Sequence, residues 1–319
     1  MTDPGMTRLT RRVLLAAPFV LRAGRAVAAS PVLRVGDQRG GAQPLMDAAG
    51  VLKALPYRVE WSQFAGAPML MEALNADAID TGSIGDAPFV SGIASAIAMR
   101  AVSVTQADGA VTALVAPRDS PIHTVADLRG RSIATLRGQT GHFLVLAALD
   151  RAGMQPSDVR FVFIAPSEAK AAMAAGSVDA WATWGPYIAL ATVQDGAREI
   201  VNGRDLMSGQ SYMVASNAAI AGKRAALSDF LRRLRLAREW GLANPQAQAR
   251  VWAEQTGFPV PVGQVVVDTA KTRTVAIDDR VVAAQQRVAD FFYKARVVPQ
   301  PQTVAPYFDR SFNDAVFAA

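Results

Sequence analysis

RSIATLRGQTGHFLVLAALDRA, residues 131–152, moves from a strand-like segment through a small-residue turn into an apolar run. Arg131–Leu136 has the length and apolar content of a buried strand, and Gly141–Ala152 is long enough for a helix. The turn between them, with Gly138 and Gly141 around Gln139 and Thr140, puts backbone N–H groups at a helix start, where the missing acceptors and the helix dipole favour an anion. Outward from it the same plan repeats. A helix at Val125–Arg129 precedes it, and a strand (Val159–Ile164), a helix (Glu168–Ala175) and a strand (Asp179–Trp184) follow. Upstream, Val32–Gly36, Pro44–Leu55, Tyr57–Trp61, Gly66–Asn75 and Ala78–Gly85 alternate strand and helix in turn. Such alternation predicts an α/β protein with parallel sheets.

Two copies of one α/β scheme, with no sequence repeat between them, predict two lobes. The polar break Pro117-Arg-Asp-Ser-Pro121 after the apolar run Ala110–Ala116 is read as the first crossing between them, and Ser211–Ala215 as a returning strand. From Ala219 the chain reads as helices with mixed apolar and charged faces, at Arg224–Leu242, Pro245–Gln255, Pro261–Lys271 and Arg280–Tyr293. The expected division is residues 32–113 and 214–319 in lobe 1 and 114–213 in lobe 2, with a cleft between.

Composition narrows the chemistry. Of the formal charge of +6 over 319 residues, residues 1–29 with five Arg and one Asp supply most, so the remainder carries only +2 and no nucleic-acid partner is expected. That segment, with Arg11-Arg12, a short apolar stretch and Ala26-Val27-Ala28-Ala29, reads as a twin-arginine-like export signal cut near Ala29 or Ser30. No Cys is present, which excludes disulfides, thiolate metal sites and Cys nucleophiles, and the only histidines are His123 and His142. Neither a metal nor a cofactor is expected. Ser167-Glu-Ala-Lys170 matches Ser-x-x-Lys without its usual companions, and no nucleophile elbow or phosphate loop occurs. The expected class is therefore a binding protein and not an enzyme.

Thr81-Gly-Ser-Ile-Gly-Asp-Ala-Pro88 repeats the strand, turn and helix-start arrangement in the first lobe. Gly85 and Asp86 there would face Gly138–His142, the two helix starts forming opposing halves of an anion clamp. For each residue a structural role competes: Asp86 as a helix cap, Thr140 as a capping hydroxyl, His142 as a locally satisfied helix-end residue. In Trp181-Ala-Thr-Trp184 the two indoles, three residues apart on a strand, point to opposite faces. Trp184, where Gly185-Pro186 ends the strand, is the one expected in the cleft.

The order and spacing of Val35-Gly-Asp-Gln-Arg39, Val59-Glu-Trp-Ser-Gln-Phe-Ala-Gly-Ala-Pro68, Leu74-Asn-Ala-Asp-Ala-Ile-Asp80, Gly85-Asp-Ala-Pro88, Ser120–Gly130, Gly176–Trp184 and Ala289–Pro299 resemble the periplasmic aliphatic sulfonate-binding proteins of ABC importers. The resemblance implies a two-lobed, type II periplasmic binding fold. Such a protein closes over one small anion and delivers it to an inner-membrane permease, as a monomer soluble in the periplasm. It also implies that Gly138, Gln139, Thr140, Gly141 and His142 face the ligand, with Gln38 and Tyr212 joining from the other side. Neutral donors and a Trp wall suffice for a sulfonate, so no buried Lys or Arg is required. Related importers take nitrate, taurine or thiamine-pyrimidine precursors, and these, a degenerate enzyme and a receptor-linked sensor are the alternative readings. Where similar sulfonate binders carry a Pro- and Lys-containing loop, this chain has Val104-Thr-Gln-Ala-Asp-Gly-Ala110. A carboxylate at the cleft mouth predicts a preference for ligands with an uncharged tail over dianions.

Overall fold

A computed structural model describes residues 30–38 and 40–318. The export signal expected over residues 1–29 lies outside them. The chain begins β1 (Val32–Gln38), α1 (Ala42–Ala48), β2 (Arg58–Phe64), α2 (Ala67–Asn75), β3 (Thr81–Gly85), α3 (Asp86–Ala94) and β4 (Met99–Gln106). A second set follows: β5 (Thr112–Ala116), β6 (Ser132–Thr135), α4 (Thr140–Arg151), β7 (Arg160–Phe163), α5 (Pro166–Ala174), β8 (Ala180–Trp184), α6 (Pro186–Ala189) and β9 (Arg198–Asn202). The chain then returns through β10 (Gln210–Ser216), α7 (Asn217–Gly222), α8 (Arg224–Ala243), α9 (Pro245–Thr256), α10 (Val260–Ala270), β11 (Arg273–Val275), α11 (Asp279–Lys294) and α12 (Asn313–Phe317).

These strands form two sheets, in the orders β11-β4-β10-β3-β1-β2 and β7-β6-β8-β5-β9. In the first, β2, β1 and β3 run parallel and β10 is inserted antiparallel. In the second, β7, β6 and β8 are parallel, and β5 is antiparallel to both neighbours. The parallel strands follow from their helical crossovers, which a tight hairpin cannot replace. Each sheet is covered on both faces. Leu70, Phe89 and Phe292 fill one side of the first and Leu33, Met46 and Phe230 the other. Leu114, Ile133 and Val145 lie on one side of the second, with Trp181 and Met173 opposite. Each fully buried large side chain contributes about 1.5–3 kcal/mol relative to exposure.

The crossings differ from the expected ones. Sheet membership changes between Gln106 and Thr112 and again between Asn202 and Gln210, so the limits expected at 113/114 and 213/214 fall inside β5 and β10. The apolar run ending at Ala116 lies beyond the crossing, because β5 is buried on both faces and reads alike in either lobe. Val104–Gln106, expected in a loop, completes β4. The crossing segments lie side by side: Ala107 N–H donates to the Gly209 carbonyl at 2.9 Å, and the Gln106 side-chain amide to the Ser208 carbonyl at 2.6 Å.

The lobes touch along the cleft. Phe143 of α4 packs at 5.3 Å and 5.5 Å from Phe291 and Phe292 of α11. A side chain on Gly85 would meet the Thr140 methyl at 2.8 Å, so the glycine permits this approach of α3 to α4. On another side, Trp252 and Val262 of α9 and α10 pack on Ala189 and Leu190 of the second lobe.

Candidate ligand site

A cavity of about 230 Å³ lies where the ends of β1, β3, β8 and the crossing strands meet. Among the residues expected at the site, Gln38, Gly85, Asp86, Gln139, Thr140 and Trp184 line it. Gly138, Gly141, His142 and Tyr212 do not, although the first three shape the turn beside it.

From the first lobe, the Gln38 amide donates to the Ser83 carbonyl at 3.1 Å, which holds its side chain along the cavity wall. The preceding Asp37 is buried, and its carboxylate accepts the N–H groups of Gln38, Ala42 and Gln43 at 2.9, 3.0 and 2.9 Å, tying the β1 end to the start of α1. Burial raises the pKa of Asp37 despite these bonds. At the start of α3, Gly85 is the N-cap and Asp86 the first helical residue, so Asp86 does not cap in the usual way. Its carboxylate accepts the Ala87 N–H at 2.8 Å and the Ser208 hydroxyl at 2.5 Å, and burial raises its pKa. Ser208 belongs to the second crossing. Asp86 therefore ties the α3 start to the hinge and puts acceptors, not donors, at this end of the cavity.

The α4 start is built differently. Gly138, at φ +71°, makes a turn that other residues rarely adopt. Gln139 is the N-cap and its side chain makes no capping bond. The first helical bond runs from Phe143 N–H to the Gln139 carbonyl at 3.0 Å, so the N–H groups of Thr140, Gly141 and His142 precede the ladder. The Gln139 side chain is 3 % exposed, and its amide nitrogen has no partner among the described residues. Thr140 is the first helical residue and not the cap, and its hydroxyl makes no hydrogen bond to a described residue. Two side-chain donors without a partner among the described residues and an open helix start thus share one cavity wall.

Three expectations are corrected. Gly141 packs on β8, where an added side chain would stand 2.5 Å from the Ala182 carbonyl, so it brings the helix close to the sheet and does not face the cavity. His142 is buried edge-on to Phe161 and Phe163 at 5.0 and 5.2 Å, and its Nδ1 accepts the Gly138 N–H at 3.3 Å. Burial, then the nearby Arg137, pulls its pKa down to about 4, so it is neutral and holds the Gly138 turn from within. Tyr212 is fully buried against Phe89 and Phe308, its hydroxyl 2.6 Å and 2.8 Å from the side-chain oxygens of Gln210 and Gln285. Its neighbour Ser211, on the opposite face of β10, lines the cavity instead.

The two indoles divide as strand alternation requires. Trp181 is in the core, and Trp184 lines the cavity with its ring edge-on to Tyr187 at 6.0 Å. Asp108, expected at the mouth, is engaged elsewhere: Arg204 holds it with bonds of 2.9 and 3.1 Å, and this pairing lowers its pKa. Sequence reading missed Ser83, Thr105, Ser211 and Thr272, all of which line the cavity. It also missed Arg238 of α8, which lines an adjoining chamber. A signal existed there, since Arg238 falls four residues after Leu234 and three before Gly241 on the buried stripe of its helix. Among the described residues no cluster of side chains suited to a metal occurs, and no helix is long and apolar enough to cross a membrane.

Comparison with known proteins places this geometry. A family model described as NMT1/THI5 like matches residues 90–248. A protein of Escherichia coli K12 named putative aliphatic sulfonates-binding protein is 33% identical over 279 residues, covering 84% of this chain and 85% of its own. The solved structure of the alkanesulfonate-binding protein SsuA from Xanthomonas axonopodis pv. citri, bound to MOPS, superposes with a TM-score of 0.83 at 28% identity, over 89% of this chain and 99% of that one. The periplasmic aliphatic sulphonate binding protein SsuA from Escherichia coli gives 0.78 at 30% identity, over 86% and 91%.

Proposed function

We propose that this chain, which belongs to the family of aliphatic sulfonate-binding proteins, captures an aliphatic sulfonate in the periplasm and hands it to the permease of an ABC importer. In this reading it is not an enzyme and acts as a monomer, exported by way of the segment before Ser30. The observation that carries the reading is the α4 start, where the buried Gln139 amide, the Thr140 hydroxyl and open N–H groups converge on a cavity walled by Trp184. A sulfonate is a monoanion at physiological pH with three acceptor oxygens and an apolar tail. Neutral donors at a helix start match the head without a buried counter-charge, and the indole matches the tail. The contacts across the cleft fit a lobe closure that shuts water out around a small ligand.

Calorimetric titration of the mature chain with a linear alkanesulfonate, nitrate, taurine and a pyrimidine tests this reading. It predicts one site per chain, with the alkanesulfonate bound most tightly and a rise in melting temperature that grows with its concentration. Tighter binding of nitrate or of the pyrimidine would replace the sulfonate reading with one of its alternatives. Turnover of the sulfonate would restore the enzyme reading.

A further inference from the structure

Behind the sulfonate cavity lies a larger chamber of about 520 Å³, bounded by β1, α8 and the α9–α10 pair. Gln38, Ser83, Thr105, Ser211 and Thr272 line both spaces, so one opens into the other. The chamber walls are partly apolar, with Leu45, Trp252 and Val266, and Arg238 stands among them. Of the five donors of its guanidinium, Arg238 uses one among the described residues, Nη1 to the Thr274 hydroxyl at 3.2 Å. Asp37 lines the same chamber and its charge attracts Arg238, but its carboxylate is taken by three backbone N–H groups and lies beyond ion-pair distance of the guanidinium. Burial pulls the pKa of Arg238 down to about 10, which still leaves it charged at neutral pH. A half-buried guanidinium with so few partners is costly unless something else satisfies it. Lys271 and Arg273, also on the chamber, add to its positive character against Asp37 and Asp268.

We infer that this chamber is a second subsite, in which Arg238 receives an anionic group at the far end of the ligand, such as a carboxylate, while the sulfonate rests at the α4 start. The inference builds on the sulfonate reading and narrows it to sulfonates whose tail ends in an acid. It reverses the expectation from sequence of an uncharged tail: Asp108, the carboxylate behind that expectation, is bound by Arg204, and the chamber that adjoins the cavity carries the cation Arg238 instead.

The test is calorimetry with two alkanesulfonates of equal chain length, one ending in a methyl group and one in a carboxylate, on the mature wild type, Arg238→Gln and Arg238→Lys. Melting curves of each variant check that it folds. The wild type should bind the carboxylated member at least as tightly as the methyl member. In Arg238→Gln the ratio of the two affinities should fall about tenfold or more, and Arg238→Lys should recover part of it. An unchanged ratio in Arg238→Gln would overturn the subsite, and equal weakening of both ligands would assign Arg238 to the sulfonate head, which also overturns it. A wild type that binds neither member would break the sulfonate reading and the subsite with it. A wild type that binds only the methyl member would leave that reading standing and remove the subsite alone.

Discussion

At the start of α3, Gly85 leads into Asp86, whose carboxylate takes the Ala87 N–H and the Ser208 hydroxyl; at the start of α4, Gly138 leads into Gln139 and Thr140, whose donors have no protein partner among the described residues. Both turns follow a strand, both open a helix, and they meet where Gly85 approaches the Thr140 methyl. Their chemistry is opposite. The α3 start carries its own anion and spends it on the hinge, whereas the α4 start carries no charge of its own and presents unused donors among the described residues. A symmetric anion clamp, which the repeated motif suggests, would need donors on both sides. On the proposed reading the pair works as one receptor and one anchor, with the ligand on the α4 side and the crossing strands held from the α3 side.

The largest effect expected from this contrast is on acid stability. His142 stays neutral inside the α4 turn to about pH 4, while in the unfolded chain it protonates near the ordinary histidine value of 6.5. The unfolded state therefore binds more protons between these values, and stability falls as the pH drops through that window, by on the order of 3 kcal/mol at its lower end. Denaturant titrations of wild type and His142→Gln at pH 7.5 and pH 4.5 should show a loss in the wild type that the variant largely lacks. Sulfonate affinity should stay flat between pH 6 and 8. A sharp rise in affinity below pH 6.5 would mean that a protonated His142 reaches the ligand, and the corrected role would fail.

Next in size are the α4 donors. Thr140→Val and Gln139→Ala should each weaken sulfonate binding by about 1–3 kcal/mol with little change in melting temperature, because neither donor bonds to a described residue of the fold. A drop in melting temperature with unchanged affinity would return Thr140 to a structural role. The smallest effect on binding is expected at the α3 start. Asp86→Asn should lower the melting temperature through its weakened bond to Ser208, by about 1 kcal/mol in stability, and change affinity by less than about threefold. A large gain in affinity would show that the Asp86 charge opposes the ligand directly.

How far the sequence could be read follows from the same contrast. Alternating strand and helix signals placed the α/β scheme and the helix starts, because apolar periodicity and glycine turns are local properties. Strand alternation likewise separated Trp181 from Trp184. The crossings were misplaced because β5 is apolar on both faces, and the polar stretch 117–121 that marks a boundary follows that strand instead of preceding it. The sequence points His142 and Tyr212 to the cleft although they face inward: local pattern tells that a residue has a face, not which face the other lobe will meet. Arg238 falls on the buried stripe of α8, but the basic residues around it on the same helix mask that signal in the sequence, and only the chamber beside it sets it apart.

The most direct test is a crystal structure of the mature chain with an alkanesulfonate. The sulfonate oxygens should lie about 3 Å from the Thr140 N–H and hydroxyl and from the Gln139 side-chain amide, with the alkyl chain against Trp184 and pointing towards Arg238. A sulfonate seated against Asp86 and Ser208, or paired with Arg238 while the α4 start stays clear of it, would contradict the assignment of one helix as receptor and the other as anchor.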